Sequence, residues 1–432
     1  MDPPGRNPGG KTNDKTAVFT GRNRVDTTSG LMPYPSPFHP RTQALCTSYR
    51  WKEWAGFYAV RSYDICHERE YNAFRQGAGV IDVTPLYKYD ITGPDAAAFL
   101  SRVMVRNIKK LGMGRVVYLC WCDDDGKIID DGTCARLGED FYRVTAAAPT
   151  YHWFMKHAAP YNVQIEDTSH TIGALAVQGP QSRNILRNLT DLNLNEMRFF
   201  GAAETTFAGI PGQLTRTGYT GDLGYELWVK NEDALKLWDA LMDAGKPYGI
   251  HPAGLDALDI CRVEAGFIMQ DVDYIGALDA VIESQKSTPY ELGLDWTVKL
   301  KDREPFIGQA ALEREKAQGS VWGFVGLEIS WEAIEKLFEG YGLPPHLPEQ
   351  AWRDPIPVFH RGRQVGRATS GAWAPILKKN LALATVESAF CQVGQQLEIE
   401  ITVEWERKTV PATVVKTPFY DPERKKSYGP DV

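Results

Sequence analysis

The sequence has no apolar run approaching the ~20 residues of a membrane-spanning helix, so no membrane span is expected. Its opening stretch, MDPPGRNPGGKTNDKT, lacks the apolar core of a secretory signal. Positive charge is also short. The formal net charge of -7 excludes the broad basic face that a nucleic-acid or anionic-membrane partner requires. Cysteine is sparse and odd in number, seven in 432 residues, which favours reduced thiols in the cytoplasm over a disulfide framework. Cys120 and Cys122 form a C-x-C, but no further Cys or His follows at zinc-ligand spacing, so no metal site is expected.

What is present fits a globular protein, and 432 residues exceed the length at which one core splits into several. Residues 1–43 are rich in Pro, Gly and polar residues and are expected to form an irregular extension. Within them, Gly5 to Thr12 match G-x-x-x-x-G-K-T. A phosphate loop needs a strand before it and a helix after it, and neither flank supplies one, so the match is read as chance. Residues 44–330 set helical segments among antiparallel hairpins in two cycles, an α+β pattern. Residues 331–432 consist mainly of strand-like segments with short turns and predict a separate C-terminal β-barrel.

Three segments carry groups suited to chemistry. GRVVYLCWCDDDGKIIDDG offers Tyr118, Asp130 and Asp131. Neighbouring residues on a strand face opposite ways, so one aspartate can serve a pocket while the other is solvated or caps a turn. RTGYTGDLGYE sets Tyr219 and Glu226 among Gly218, Gly221 and Gly224, where bare backbone could approach a flat ligand; a glycine-rich turn around a core tyrosine is the alternative. Gln178 closes an apolar strand just before a helix, and a buried amide there must be satisfied by protein or by ligand. Arg262 and Glu264 lie two apart on a helix and point in different directions, which predicts an ion pair from Arg262 to another element.

In their order along the chain, EWAGFYAV, GVIDV, GPDAAAFL, GKIIDDG, ALAVQGP, RTGYTGDLGYE, GLDALDICRVEAG, FIGQAAL, ATSGAWAP and NLALATV resemble the glycine-cleavage T-protein (aminomethyltransferase) superfamily. The resemblance spans nearly all of residues 50–420. It implies a three-domain cloverleaf, two interlocked α+β domains and a C-terminal β-barrel, with tetrahydrofolate in the central channel. It also implies Asp131 as the catalytic aspartate with Tyr118 as its partner. Tyr219, Glu226 and Gln178 would recognise the pterin, with Arg262 and Phe267 counted in the same cofactor site.

Departures from the family pattern shift the expected chemistry. Asp82-Val83-Thr84-Pro85-Leu86 replaces the usual Asp-Val-Ser-His-Met. Leu258 stands where glycine-cleavage enzymes carry arginine and folate-dependent aromatic O-demethylases carry tyrosine. The stretch VIESQKSTPYELG also resembles the demethylase branch. The expectation is therefore transfer of a methyl group from a small O-, N- or S-methylated substrate to N5 of tetrahydrofolate. Trp54, Phe57, Tyr58, Tyr87, Trp121 and Trp373, with Leu86 and Leu258, are expected to line the donor pocket, since aromatic walls suit methylated cations and methoxy-aromatics. Two alternatives stand beside it: an aminomethyltransferase acting on a lipoyl carrier protein, and a non-catalytic folate-binding protein of the same fold.

Overall fold

The computed structural model describes residues 32–428. Two sheets and a barrel organise them. The five-stranded sheet runs in the order Arg115–Cys122, Ile128–Arg136, Phe141–Ala146, Tyr87–Thr92, Gln164–Asp167, every pair antiparallel. Helices Ala96–Val103 and Tyr151–Ala158 cover one of its faces, burying Phe99, Leu100 and Phe154 against Tyr89, Leu119 and Trp121.

The six-stranded sheet runs Ala202–Phe207, Ile210–Thr215, Gly224–Lys230, Ile172–Gln178, Ala78–Asp82, Ile250–Pro252, with its last pair parallel. One face packs on helix Ala234–Gly245 through Leu237, Trp238 and Leu241. The other meets helix Leu255–Glu264, all of whose residues after Leu255 are buried. A helix that is buried all round must satisfy its polar residues internally, and this one does so with the ion pairs described below.

The chain crosses between the sheets twice, from Ala78–Asp82 to Tyr87–Thr92 and from Gln164–Asp167 back to Ile172–Gln178. The two α+β units are thus interlocked, as expected. Lys88 ties the crossings together: its fully buried ammonium donates to the carbonyls of Thr84 (2.6 Å) and Leu86 (2.7 Å) in one and of Ser169 (3.4 Å) in the other.

The C-terminal barrel is closed, in the order Trp322–Ile329, Lys379–Glu387, Arg363–Ala374, Ile356–His360, Gln396–Val403, Glu406–Val415. Its first strand precedes residue 331, where the domain was expected to begin. Past the barrel the chain forms a strap back to the six-stranded sheet. Arg424 grips both oxygens of Asp222 at 2.7 Å, and Arg216 donates to the carbonyls of Lys425 (3.0 Å) and Ser427 (2.8 Å).

The expected irregular extension needs correcting where it is described. His39–Leu45 is a helix with proline in its first turn, and Phe38 is fully buried in the core of the six-stranded sheet. Composition missed this because one aromatic anchor suffices: Gly173 leaves room for it, and a Cβ there would lie 3.0 Å from the Phe38 ring. The G-x-x-x-x-G-K-T match lies outside the described residues. Pro252, expected in the first helical turn, ends the parallel strand instead.

Candidate active site

Strand alternation assigns the two aspartates. Cys120 pairs with Asp131 and Tyr118 with Thr133, so Tyr118, Asp131 and Thr133 share one face of the five-stranded sheet. Asp130 lies on the other face, fully buried. It accepts hydrogen bonds from the amides of Ala147 (3.0 Å), Ala148 (2.9 Å) and Asp131 (2.7 Å), and so fixes the turn that leads into helix Tyr151–Ala158.

Asp131 accepts one hydroxyl on each carboxylate oxygen. Tyr118, its diagonal neighbour across the strand pair, donates to Oδ2 at 2.7 Å. Tyr274 donates to Oδ1 at 2.5 Å. Among the described residues no lysine or arginine forms a salt bridge with it. Burial raises the Asp131 carboxyl above the ordinary aspartate range; the two hydroxyls oppose the shift and nearby Asp273 adds to it. Trp296, half exposed, stacks on Tyr118 at 5.8 Å and 22°.

On the same face a small cavity lies between the sheets, lined by Thr133 and Thr145 from one and by Thr215, Glu226 and Trp228 from the other. Burial raises the Glu226 carboxyl, while the hydroxyls of Thr217 (2.5 Å) and Thr215 (3.2 Å) donate to it and hold it down. Tyr219 donates to the Ile268 carbonyl and packs its ring 5.5 Å from Phe267. The Lys425 ammonium of the strap lies 5.3 Å from the centre of the Phe267 ring.

Two residues expected to touch cofactor are committed to the protein itself. Gln178 donates to the carbonyls of Thr217 (3.2 Å) and Tyr225 (3.3 Å) and accepts from Thr220 (3.1 Å). The glycines expected to admit a flat ligand admit this side chain: a Cβ on Gly218 or Gly224 would lie 1.9 or 2.1 Å from its Oε1. Arg262 is fully buried. It joins Asp259 (2.7 Å), Asp273 (2.7 Å) and Ser370 (3.0 Å), pinning the central helix to the barrel, as its helical position implied. Asp273 in turn accepts from Thr369 (2.5 Å) and Ser370 (2.8 Å), consecutive residues that a register shift between Ala368 and Ser370 turns to one side.

The expected donor-pocket residues divide. Trp54, Leu86 and Leu258 pack in one hydrophobic cluster with Tyr219. Trp121 belongs to the core: it shares the Asp130 face, opposite Asp131, and is fully buried under helix Tyr151–Ala158. Trp373 leaves the pocket for the same reason of alternation, since Ala372 and Ala374 face the cluster while Trp373 packs on Trp331 at 5.3 Å. Phe57 is buried against His170, Tyr58 joins His39 and Trp51, and half-buried Tyr87 packs on the core of the five-stranded sheet. Sequence reasoning missed Tyr274 and Asp273. Both come from the irregular stretch after helix Leu255–Glu264, which carries no periodic signal.

Comparison with known proteins follows the same lines. The GCVT N-terminal domain matches residues 38–302, and the glycine cleavage T-protein C-terminal barrel domain matches residues 342–421. An aminomethyltransferase of Bacillus subtilis is 35% identical over 82% of this chain and 90% of its own length. A trimethylamine-oxide aldolase of Ruegeria pomeroyi is 36% identical over 82% of this chain but only 43% of its own length. The crystal structure of glycine cleavage system aminomethyltransferase T from Bartonella henselae shares the fold, with a TM-score of 0.76 at 23% identity, covering 91% of this chain and 99% of that one. On sequence and fold alike, this chain belongs to the glycine cleavage T-protein family.

Proposed function

We propose that this chain transfers a methyl group from a small O-, N- or S-methylated substrate to tetrahydrofolate. The carrying observation is Asp131, a partly buried carboxylate oriented by two hydroxyls, with no salt-bridged cation among the described residues. A carbon passing between heteroatoms develops positive charge, which an uncompensated, pre-oriented carboxylate stabilises. The residues present fit a reduced pterin. Glu226 and four threonine hydroxyls line a small polar cavity between the sheets, and Tyr219 with Phe267 offers an aromatic wall. Tetrahydrofolate, when bound, supplies N5 as the carbon acceptor. Glu226 accepts hydrogen bonds from the pterin edge, Tyr118 keeps Asp131 aimed, and Trp54, Leu86 and Leu258 border the donor.

Leu258 favours methyl over aminomethyl transfer, because an apolar side chain can neither bind an anion nor donate a proton. The second reading, aminomethyl transfer from a lipoyl carrier protein, draws its support from the name of the Bacillus relative. The Ruegeria relative, of which this chain spans less than half, is named for an N-methylated compound, trimethylamine oxide. Seven free thiols support a cytoplasmic location, and among the described residues no helix is long and apolar enough to cross a membrane.

The test is mass spectrometry of the folate product after incubation with methoxybenzoates, betaines, trimethylamine oxide, a sulfonium and an aminomethyl-lipoyl carrier. 5-Methyltetrahydrofolate from one of the small donors is the expected product. 5,10-Methylenetetrahydrofolate formed only with the carrier overturns the methyl reading in favour of the second.

A further inference from the structure

Tyr274 reaches the candidate site from the loop that follows the central helix, and its ring is buried. The loop is held at both ends of a short turn. The Asp271 amide donates to the Tyr274 carbonyl at 2.8 Å, and the Asp273 carboxylate is fixed by Arg262, by the Met269 amide (2.9 Å) and by two barrel hydroxyls. Consecutive residues therefore face different partners. Asp273 binds the central helix and barrel, while Tyr274 carries its hydroxyl to Asp131.

We propose that Tyr274 is a positioning residue for one-carbon transfer, holding the Asp131 carboxylate ionised and in a single orientation together with Tyr118. The proposal rests on the reading of Asp131 as the carboxylate that faces the reacting carbon. Its physical basis is the division of donors, one hydroxyl to each oxygen. With both in place, rotation of the carboxylate breaks two charge-assisted hydrogen bonds. Without Tyr274, Oδ1 keeps no donor among the described residues, and the ionised form loses half of its hydrogen-bond support. The Tyr274 oxygen also lies 3.4 Å from Oδ1 of Asp130. At 2.5 Å against 3.4 Å its single proton belongs to Asp131, which leaves Asp130 to the backbone amides that it caps.

The experiment reads Asp131 directly in the protein without folate. Aspartate carboxyl carbons are labelled with 13C, the Asp131 signal is assigned by its loss in Asp131→Asn, and its midpoint is followed with pH. Tyr274→Phe is expected to raise that midpoint by about one pH unit, because a hydrogen bond to the charged form is removed. Replacing Tyr274 by 3-fluorotyrosine, a same-shaped and stronger donor, is expected to lower it. Tyr118→Phe should raise it as Tyr274→Phe does. In turnover with a donor that methylates folate, Tyr274→Phe should lower kcat about tenfold with KM for tetrahydrofolate within about twofold, and shift the acid limb with the midpoint.

An Asp131 midpoint that stays put in both Tyr274 variants while Tyr118→Phe moves it overturns the proposal, whatever the protein's substrate. A wild-type protein that yields no folate product with any donor overturns the function beneath it, while the NMR midpoint still decides the link between Tyr274 and Asp131.

Discussion

At the junction of central helix and barrel, Asp273 accepts from Arg262, Thr369, Ser370 and the Met269 amide. At the candidate site, Asp131 accepts from two tyrosine hydroxyls and forms no salt bridge among the described residues. The two carboxylates are near enough for Asp273 to raise the Asp131 carboxyl, yet they are built to opposite ends. A buried charge met by an arginine has its field cancelled and serves as a fixed joint. One met only by hydroxyls keeps its field, at a cost in stability, and remains available to a positive centre that arrives later.

Removing the charge from each carboxylate breaks or sharpens that contrast. Asp273→Asn leaves the buried Arg262 guanidinium with Asp259 alone, which Arg353 also engages, so the unfolding free energy should drop by about 3 kcal/mol in urea denaturation. A loss below about 1 kcal/mol would erase the distinction. Asp131→Asn should do the reverse. Turnover falls by roughly 10²–10³, folate binding changes little, and thermal stability holds or rises because a partly buried, uncompensated charge is gone. An Asp131→Asn protein that is active but less stable would make Asp131 a structural residue.

The smallest effect concerns Lys88, a buried charge met by carbonyls alone. Burial pulls its ammonium down to about 7, well below the ordinary lysine value of about 10.4. Between those values the unfolded chain holds a proton that the folded chain has released. The destabilisation is thus fully present below pH 7 and fades as pH rises. Wild type should gain stability over Lys88→Met on going from pH 7 to 9, on the order of 1 kcal/mol per pH unit. An equal difference at both pH values would mean that Lys88 stays charged throughout.

How much of this could be read beforehand depends on the period of the signal. The barrel strands and the opposed faces of Asp130 and Asp131 follow from alternation, and Tyr118 reaches Asp131 from the adjacent strand, thirteen residues upstream. Tyr274 lies 143 positions from Asp131, in a loop whose shape is set by Asp273 and the barrel, so no local pattern announces it. Trp121 and Trp373 show the opposite failure. They lie within motifs that do border the site, but one step along a strand turns each to the other face. Gln178 was ambiguous in kind, because an amide bonded to backbone and an amide bonded to ligand look alike until Gly218 and Gly224 are seen beneath it.

The strap after the barrel bears on how such a chain can be rearranged. The two matched regions, residues 38–302 and 342–421, look like modules that recombination could exchange. Yet Arg424 closes on Asp222, and the carbonyls of Lys425 and Ser427 close on Arg216. A barrel imported without a matching strap would leave Asp222 with Arg75 alone, at 3.8 Å, and take two carbonyls away from Arg216. The unit that can be inherited whole is therefore larger than either region, and Asp222 is expected to change in step with Arg424, some two hundred positions further along.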